Sequence, residues 1–194
     1  MASQLSSYLD ELPAGLGSYP ECEAKASLLR ALLGVCPPLD GVELPPELRE
    51  LLLRPPGANA WIPEVHLVAS HLAIVDCLGL SEDDMLRRTY LANRALTGSP
   101  MYRALARVAS PGMLLRGAKA AWGLIHRGVR LAIHVDAGRA RVVLTHPPNL
   151  YDALAHESAA LGFMAVVEAA NGKAVTATLE QSLPSGTSIL VKWS

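Results

Sequence analysis

The chain has 194 residues, of which 51% are hydrophobic and 18% charged. This balance buries a sizeable core and excludes an intrinsically disordered segment. Seventeen basic against 18 acidic side chains leave a formal net charge of −1, which gives no global attraction to nucleic acid or an acidic membrane surface.

Residues 3–12 read as a short helix ended by Pro13, and Ala14–Pro20 as a Gly/Pro loop. Leu28, Leu29, Leu32 and Leu33 recur at helical spacing and predict a helix over Glu21–Leu33, with Gly34 as its stop. Pro37-Pro38 blocks any continuation. Pro45-Pro46 opens a short helix, Glu47–Leu53, closed by Pro55-Pro56. Pro63 suits the first turn of a helix running to Leu78 and stopped by Gly79. This helix is apolar nearly all round, so it is expected to be central. Ser81-Glu82-Asp83-Asp84 resembles a capping box and starts helix 82–96, stopped near Gly98. Ser99-Pro100 and Ser110-Pro111 repeat one device, an N-cap serine before a proline, and start helices 100–108 and 111–127. Gly128 ends the second of these.

The period then changes from helical to two. Val129, Leu131, Ile133 and Val135 alternate with polar or small residues, Asp136-Ala137-Gly138 turns, and Ala140, Val142 and Leu144 return. His146-Pro147-Pro148 breaks the strand, and Asn149 can cap a helix over 150–170, stopped by Asn171-Gly172. A second hairpin follows, with Val175, Ala177 and Leu179 on one face, a loop at Pro184-Ser185-Gly186, and Ile189, Val191 and Trp193 in the last strand. The expected fold is α+β: a helical layer packed on a four-stranded antiparallel sheet, in the order helices-β-β-α-β-β. The chain is expected to be one domain over 1–194. Its parts are a Pro-rich helical start at 1–60, a helical layer at 61–128 and a ββαββ unit at 129–194.

Met1-Ala2-Ser3-Gln4 lacks the basic and apolar regions of a signal peptide, and no apolar run reaches the roughly 18 residues of a membrane span. Cys22, Cys36 and Cys77 are odd in number and widely spaced, a pattern of neither a disulfide framework nor a zinc site. The expectation is a cytoplasmic protein with reduced, buried cysteines, no metal, no membrane span and no nucleic-acid partner.

Several short stretches carry a resemblance. Tyr19-Pro20-Glu21-Cys22 with Lys25-Ala26-Ser27, Trp61-Ile62-Pro63-Glu64-Val65, Ser99-Pro100-Met101-Tyr102-Arg103, and Ser110-Pro111 with Leu115-Arg116-Gly117 resemble a chiefly myxobacterial family of proteins of similar length. The element order is also similar to the ligand-binding fold of haem nitric-oxide/oxygen-binding domains, 4-vinyl-reductase domains and TRAPP vesicle-tethering subunits. The haem-binding relatives hold the propionates with a Tyr-x-Ser-x-Arg motif. Tyr102-Arg103 and Tyr90-Leu91-Ala92-Asn93-Arg94 do not match it, so the resemblance implies the fold without the haem, and no cofactor is expected.

Candidate chemistry is sparse. His66 and His71 share a helix, but five residues turn about 500°, so they cannot clasp one metal together. One of them remains a candidate lone ligand in an apolar pocket. His126 and Arg127 suit the end of helix 111–127, where donors answer unpaired carbonyls; alternatively, Trp122, His126 and Arg127 line the mouth of a cavity against the sheet. Arg130, His134, Arg139, Arg141 and Thr145 are expected to share the polar outer face of the sheet, either solvated or facing an acidic partner. His156 and Asp152 stand four residues apart, but no nucleophile is tied to them, and no G-x-S-x-G elbow exists. No catalytic role is expected. The first reading is a non-enzymatic interaction, scaffold or regulatory module that forms a homodimer or docks a protein partner. The alternative is a sensor of an apolar small molecule, a lipid or tetrapyrrole. Its pocket would lie between the helices and the sheet and would be lined by Trp61, His66, His71, Trp122, His126 and Arg127.

Overall fold

The structure, a computed structural model, describes residues 3–98 and 110–194. Helix 100–108 and the motif Ser99–Arg103, both expected from the sequence, lie outside the described residues. Local signals set most of the remaining helix ends. Helix α1 (Gln4–Asp10) starts at Ser3, whose hydroxyl accepts from Ser6 N. Asp76, far along the chain, accepts from the backbone N–H groups of Gln4 and Leu5 at 3.0 and 2.9 Å, and so caps the same end a second time. Helices α2 (Ala26–Leu33) and α3 (Pro46–Leu53) bury Leu29, Leu32, Leu48 and Leu52. Helix α4 (Glu64–Leu78) buries most of its circumference, including Val65, Leu72 and Ile74, and ends where Gly79 turns left-handed at φ +61. Helix α5 (Glu82–Thr97) starts at Ser81, which accepts from Asp84 N at 3.1 Å.

The sheet of the C-terminal half has the strands read from the sequence: β4 (Arg130–Asp136), β5 (Arg139–Thr145), β6 (Thr176–Leu183) and β7 (Gly186–Lys192). They are antiparallel, in the order β4-β5-β7-β6. The registers Ile133↔Val142, Val142↔Ile189 and Leu179↔Ile189 place the apolar alternation on one face, against the helices. Helix α7 (Ala153–Ala169) connects the two hairpins and packs on this face.

Three points depart from the sequence reading. A second antiparallel sheet, order β2-β1-β3, is made of β1 (Glu23–Lys25), β2 (Trp61–Pro63) and β3 (His126–Arg127). It takes the start of the helix expected over Glu21–Leu33. Strands this short show no readable alternation. Helix α6 (Pro111–Trp122) stops at Gly123, five residues before the expected end, so His126 and Arg127 close no helix and lie in a strand. Helix α7 is capped by the Asp152 carboxylate, which accepts from Ala155 N at 2.8 Å, whereas Asn149 stands in a left-handed turn at φ 58. The Pro-rich segment 34–60, too irregular in sequence to assign to core or lid, contributes to the core, since Leu39, Leu44, Leu48 and Leu52 are all buried.

Gly128 works as a crossing point between the sheets, not as a helix stop. Its φ is +74, and a Cβ there would lie 2.6 Å from Cys22 Sγ and 2.7 Å from the Glu21 carbonyl. Gly128→Ala combines left-handed strain with overpacking and is expected to cost about 3 kcal/mol. A urea midpoint unchanged from wild type would refute this.

Candidate functional site

A cavity of about 520 Å³ lies between α2, α4, α5, α6 and α7 and reaches Leu144 of the sheet. Its walls are mainly aliphatic, with Leu67 and Val68 from α4, Leu114 and Ala118 from α6, and Phe163 and Val166 from α7. The helices that form it present small residues inward: Gly117, Ala121, Ala159 and Gly162 leave space that larger side chains would fill.

One end is polar. Glu64 opens α4 and is 1% exposed. Tyr151 Oη donates to Glu64 Oε1 at 2.7 Å, and His126 Nδ1 lies 3.1 Å from Oε2. Burial and the neighbouring Glu64 push the Tyr151 hydroxyl well above its usual range, so it stays a donor. The His126 ring stacks on Trp122 at 4.1 Å, and Trp122 Nε1 donates to Val129 O at 2.9 Å, which holds both rings in place. The Asp152 carboxyl, also on the cavity, is raised by burial.

His71 lines the cavity from α4. Its Nδ1 lies 2.9 Å from the Leu67 carbonyl, which can only accept, so Nδ1 carries the proton. Burial lowers its pKa and keeps the ring neutral. Nε2 is therefore an acceptor, and it has no partner among the described residues. The hydroxyls of Thr89 and Ser158, two further lining residues, are buried and also lack partners among the described residues.

Of the six residues singled out from the sequence, His71, Trp122 and His126 line this cavity, whereas Trp61, His66 and Arg127 do not. The Trp61 ring lies between Lys25 Nζ at 3.7 Å and Arg127 Cζ at 3.9 Å, and Arg127 also pairs with Glu23 at 3.0 Å. His66 is half-buried against the Leu16 backbone, and desolvation lowers its pKa. Glu64, Tyr151, Thr89 and Ser158 were not singled out. The only signal for Glu64 was an acid opening a helix with almost no polar face. The polar outer face of the sheet carries its own counter-charges, with Arg141 on Glu180 at 2.7 and 3.0 Å and Arg139 on Asp136 at 3.3 Å.

A second buried cluster adjoins the site. His156 does not pair its ring with Asp152. Its Nε2 meets His146 Nε2 at 3.0 Å and its Nδ1 meets Ser182 Oγ at 2.7 Å, while His146 Nδ1 lies 2.9 Å from Pro147 O. One proton order satisfies the chain: Ser182 donates to His156, His156 to His146, and His146 to the carbonyl. Desolvation lowers the His156 pKa from 6.5 to about 4, with His146 adding to the shift, and His146 is itself lowered by desolvation. Folding thus favours the neutral rings. The unfolded chain binds more protons between pH 6.5 and about 4, so stability is full above pH 6.5 and falls as pH drops through that window. The expected loss is about 2 kcal/mol, trimmed from the full linkage value by solvent screening. Asp152 acts in the opposite sense, because its raised pKa adds stability at low pH that is lost as the carboxyl ionises. Urea midpoints at both ends of the window check this. His156→Gln should flatten the dependence, and an unchanged slope would refute the assignment.

No helix among the described residues is long and apolar enough to cross a membrane, and no cluster of three or more metal-binding side chains occurs among them. No family model and no curated protein matches the chain. Among solved structures, an H-NOX domain, a doubly substituted variant of the Tt protein, matches it with a TM-score of 0.52 at 12% identity. The match covers 88% of this chain and 95% of that one. At that identity the likeness is one of fold alone: the chain has a fold distantly similar to that of an H-NOX domain.

Proposed function

We propose that this protein is a non-enzymatic sensor of an apolar small molecule held in the cavity between α4, α5, α6 and α7. The observation that carries this reading is the cavity itself. At about 520 Å³ it falls within the range of small-molecule sites, with apolar walls and a few convergent polar groups. The likeness of fold to an H-NOX domain supports it. The groups best suited to acid-base chemistry, Glu64, Tyr151 and His126, are hydrogen-bonded to one another, which suits a supporting role better than catalysis. A protein partner, or a second copy of the chain, would read out the bound state.

Haem does not fit the pocket lining among the described residues. It would bring two propionates, and the lining among the described residues holds the carboxyls of Glu64 and Asp152, with His126 already committed to Glu64 and no Arg or Lys. Like charges in an apolar cavity repel and stay unpaired. The Tyr-x-Ser-x-Arg run of haem-binding relatives is absent from the sequence as well.

The test is native against denaturing mass spectrometry of freshly purified protein, with an absorbance spectrum of the same sample and a titration with the neutral fluorophore N-phenyl-naphthylamine. The expected result is a non-covalent mass or saturable fluorophore uptake, with no Soret band. A bare mass together with no uptake would overturn the proposal.

A further inference from the structure

Resting on that reading, we infer that the cavity selects an uncharged, largely aliphatic molecule that carries a hydroxyl, whose O–H donates to His71 Nε2. The chemistry of the lining sets this class. His71 has one ring nitrogen committed to Leu67 O as a donor, which leaves Nε2 as a lone-pair acceptor in a mainly aliphatic lining. Of the other ionisable groups there, Glu64 and Asp152 offer carboxyl oxygens as acceptors, and Tyr151 and His126 are already committed to Glu64. A carboxylate or phosphate ligand would meet no Arg or Lys among the described lining residues, only neutral donors, and would lose most of its hydration without a counter-charge. A pure hydrocarbon would bury His71 Nε2 unpaired, which is costly for a desolvated acceptor. An alcohol satisfies Nε2 and has no charge to desolvate. The hydroxyls of Thr89 and Ser158, also in the lining, are buried without partners among the described residues and add further polar capacity to the cavity.

The experiment displaces N-phenyl-naphthylamine from the full chain at neutral pH with three matched compounds: decanol, decyl methyl ether and decanoate. Decanol is expected to displace the fluorophore at about tenfold lower concentration than either of the others, the effect of one hydrogen bond to a buried acceptor. His71→Leu should bring decanol to the level of the ether, and His71→Gln, which keeps an acceptor, should restore part of the preference. If His71→Leu fails to fold, the ranking of the three compounds on the wild-type chain decides. Decanoate binding as well as decanol, or a preference for decanol that survives in folded His71→Leu, overturns this inference and leaves the pocket standing. Absence of any fluorophore uptake together with a bare native mass overturns both.

Discussion

Replacing Glu64 with alanine is expected to lower stability by about 3–5 kcal/mol, a large share of the roughly 5–15 kcal/mol that holds such a domain together. The change strips both partners at once. Tyr151 Oη loses the acceptor 2.7 Å away, and His126 Nδ1 loses the one at 3.1 Å. Both groups stay buried, because Trp122 and Phe163 continue to stack over that end of the cavity. An unpaired buried donor costs more than a hydrogen bond contributes, since it has lost water as well as its partner. Glu64→Gln should cost less, about 1–2 kcal/mol, because the amide oxygen still accepts from Tyr151 and His126 can shift its proton to the other ring nitrogen. Urea unfolding with an unchanged slope reads both values. A loss below about 1 kcal/mol for the alanine variant would show that the three groups do not act as a unit.

The second large effect runs the other way. Gly162→Leu is expected to raise stability by about 1 kcal/mol while abolishing uptake of the neutral fluorophore. Gly162 lies inside α7, has no left-handed backbone to protect, and lines the cavity. A Cβ there meets only the Asn93 side chain, at 3.7 Å, an ordinary contact. Leucine is a better helix former by roughly 0.8 kcal/mol, and its side chain would fill empty space with apolar atoms. The same atoms occupy the ligand's volume. A gain in stability bought with a loss of binding is the expected signature of a site kept open for function. Thermal melting and fluorophore titration on one preparation check both halves. Unchanged uptake would mean that the bound molecule sits elsewhere.

Much of the fold was legible because its signals are local. Ser81 and Ser110 each accept from a backbone N–H three residues on, and Gly79 adopts the left-handed turn that stops α4. The two hairpins alternate over seven or eight residues, long enough for a period of two to stand out. The three-stranded sheet was not legible, because each of its strands has two or three residues and pairs only with distant segments. The premature end of α6 was missed for a related reason. Trp122 and His126 do share a face, as helical spacing suggested, but they stack across a turn that leads into β3.

By itself, then, the sequence determined the α+β class, the central apolar helix α4, the C-terminal ββαββ order and the capped starts of α5 and α6, all of which depend on neighbours within a few residues. Only the tertiary structure decided the site. Glu64 and Tyr151 are 87 residues apart, and Glu64 and His126 are 62 apart. Nothing local distinguishes a first-turn glutamate that is solvated from one that is buried. The difference arises when β1 draws β2 and β3 to either side of itself, which brings the start of α4 to His126 and closes both over the end of the cavity.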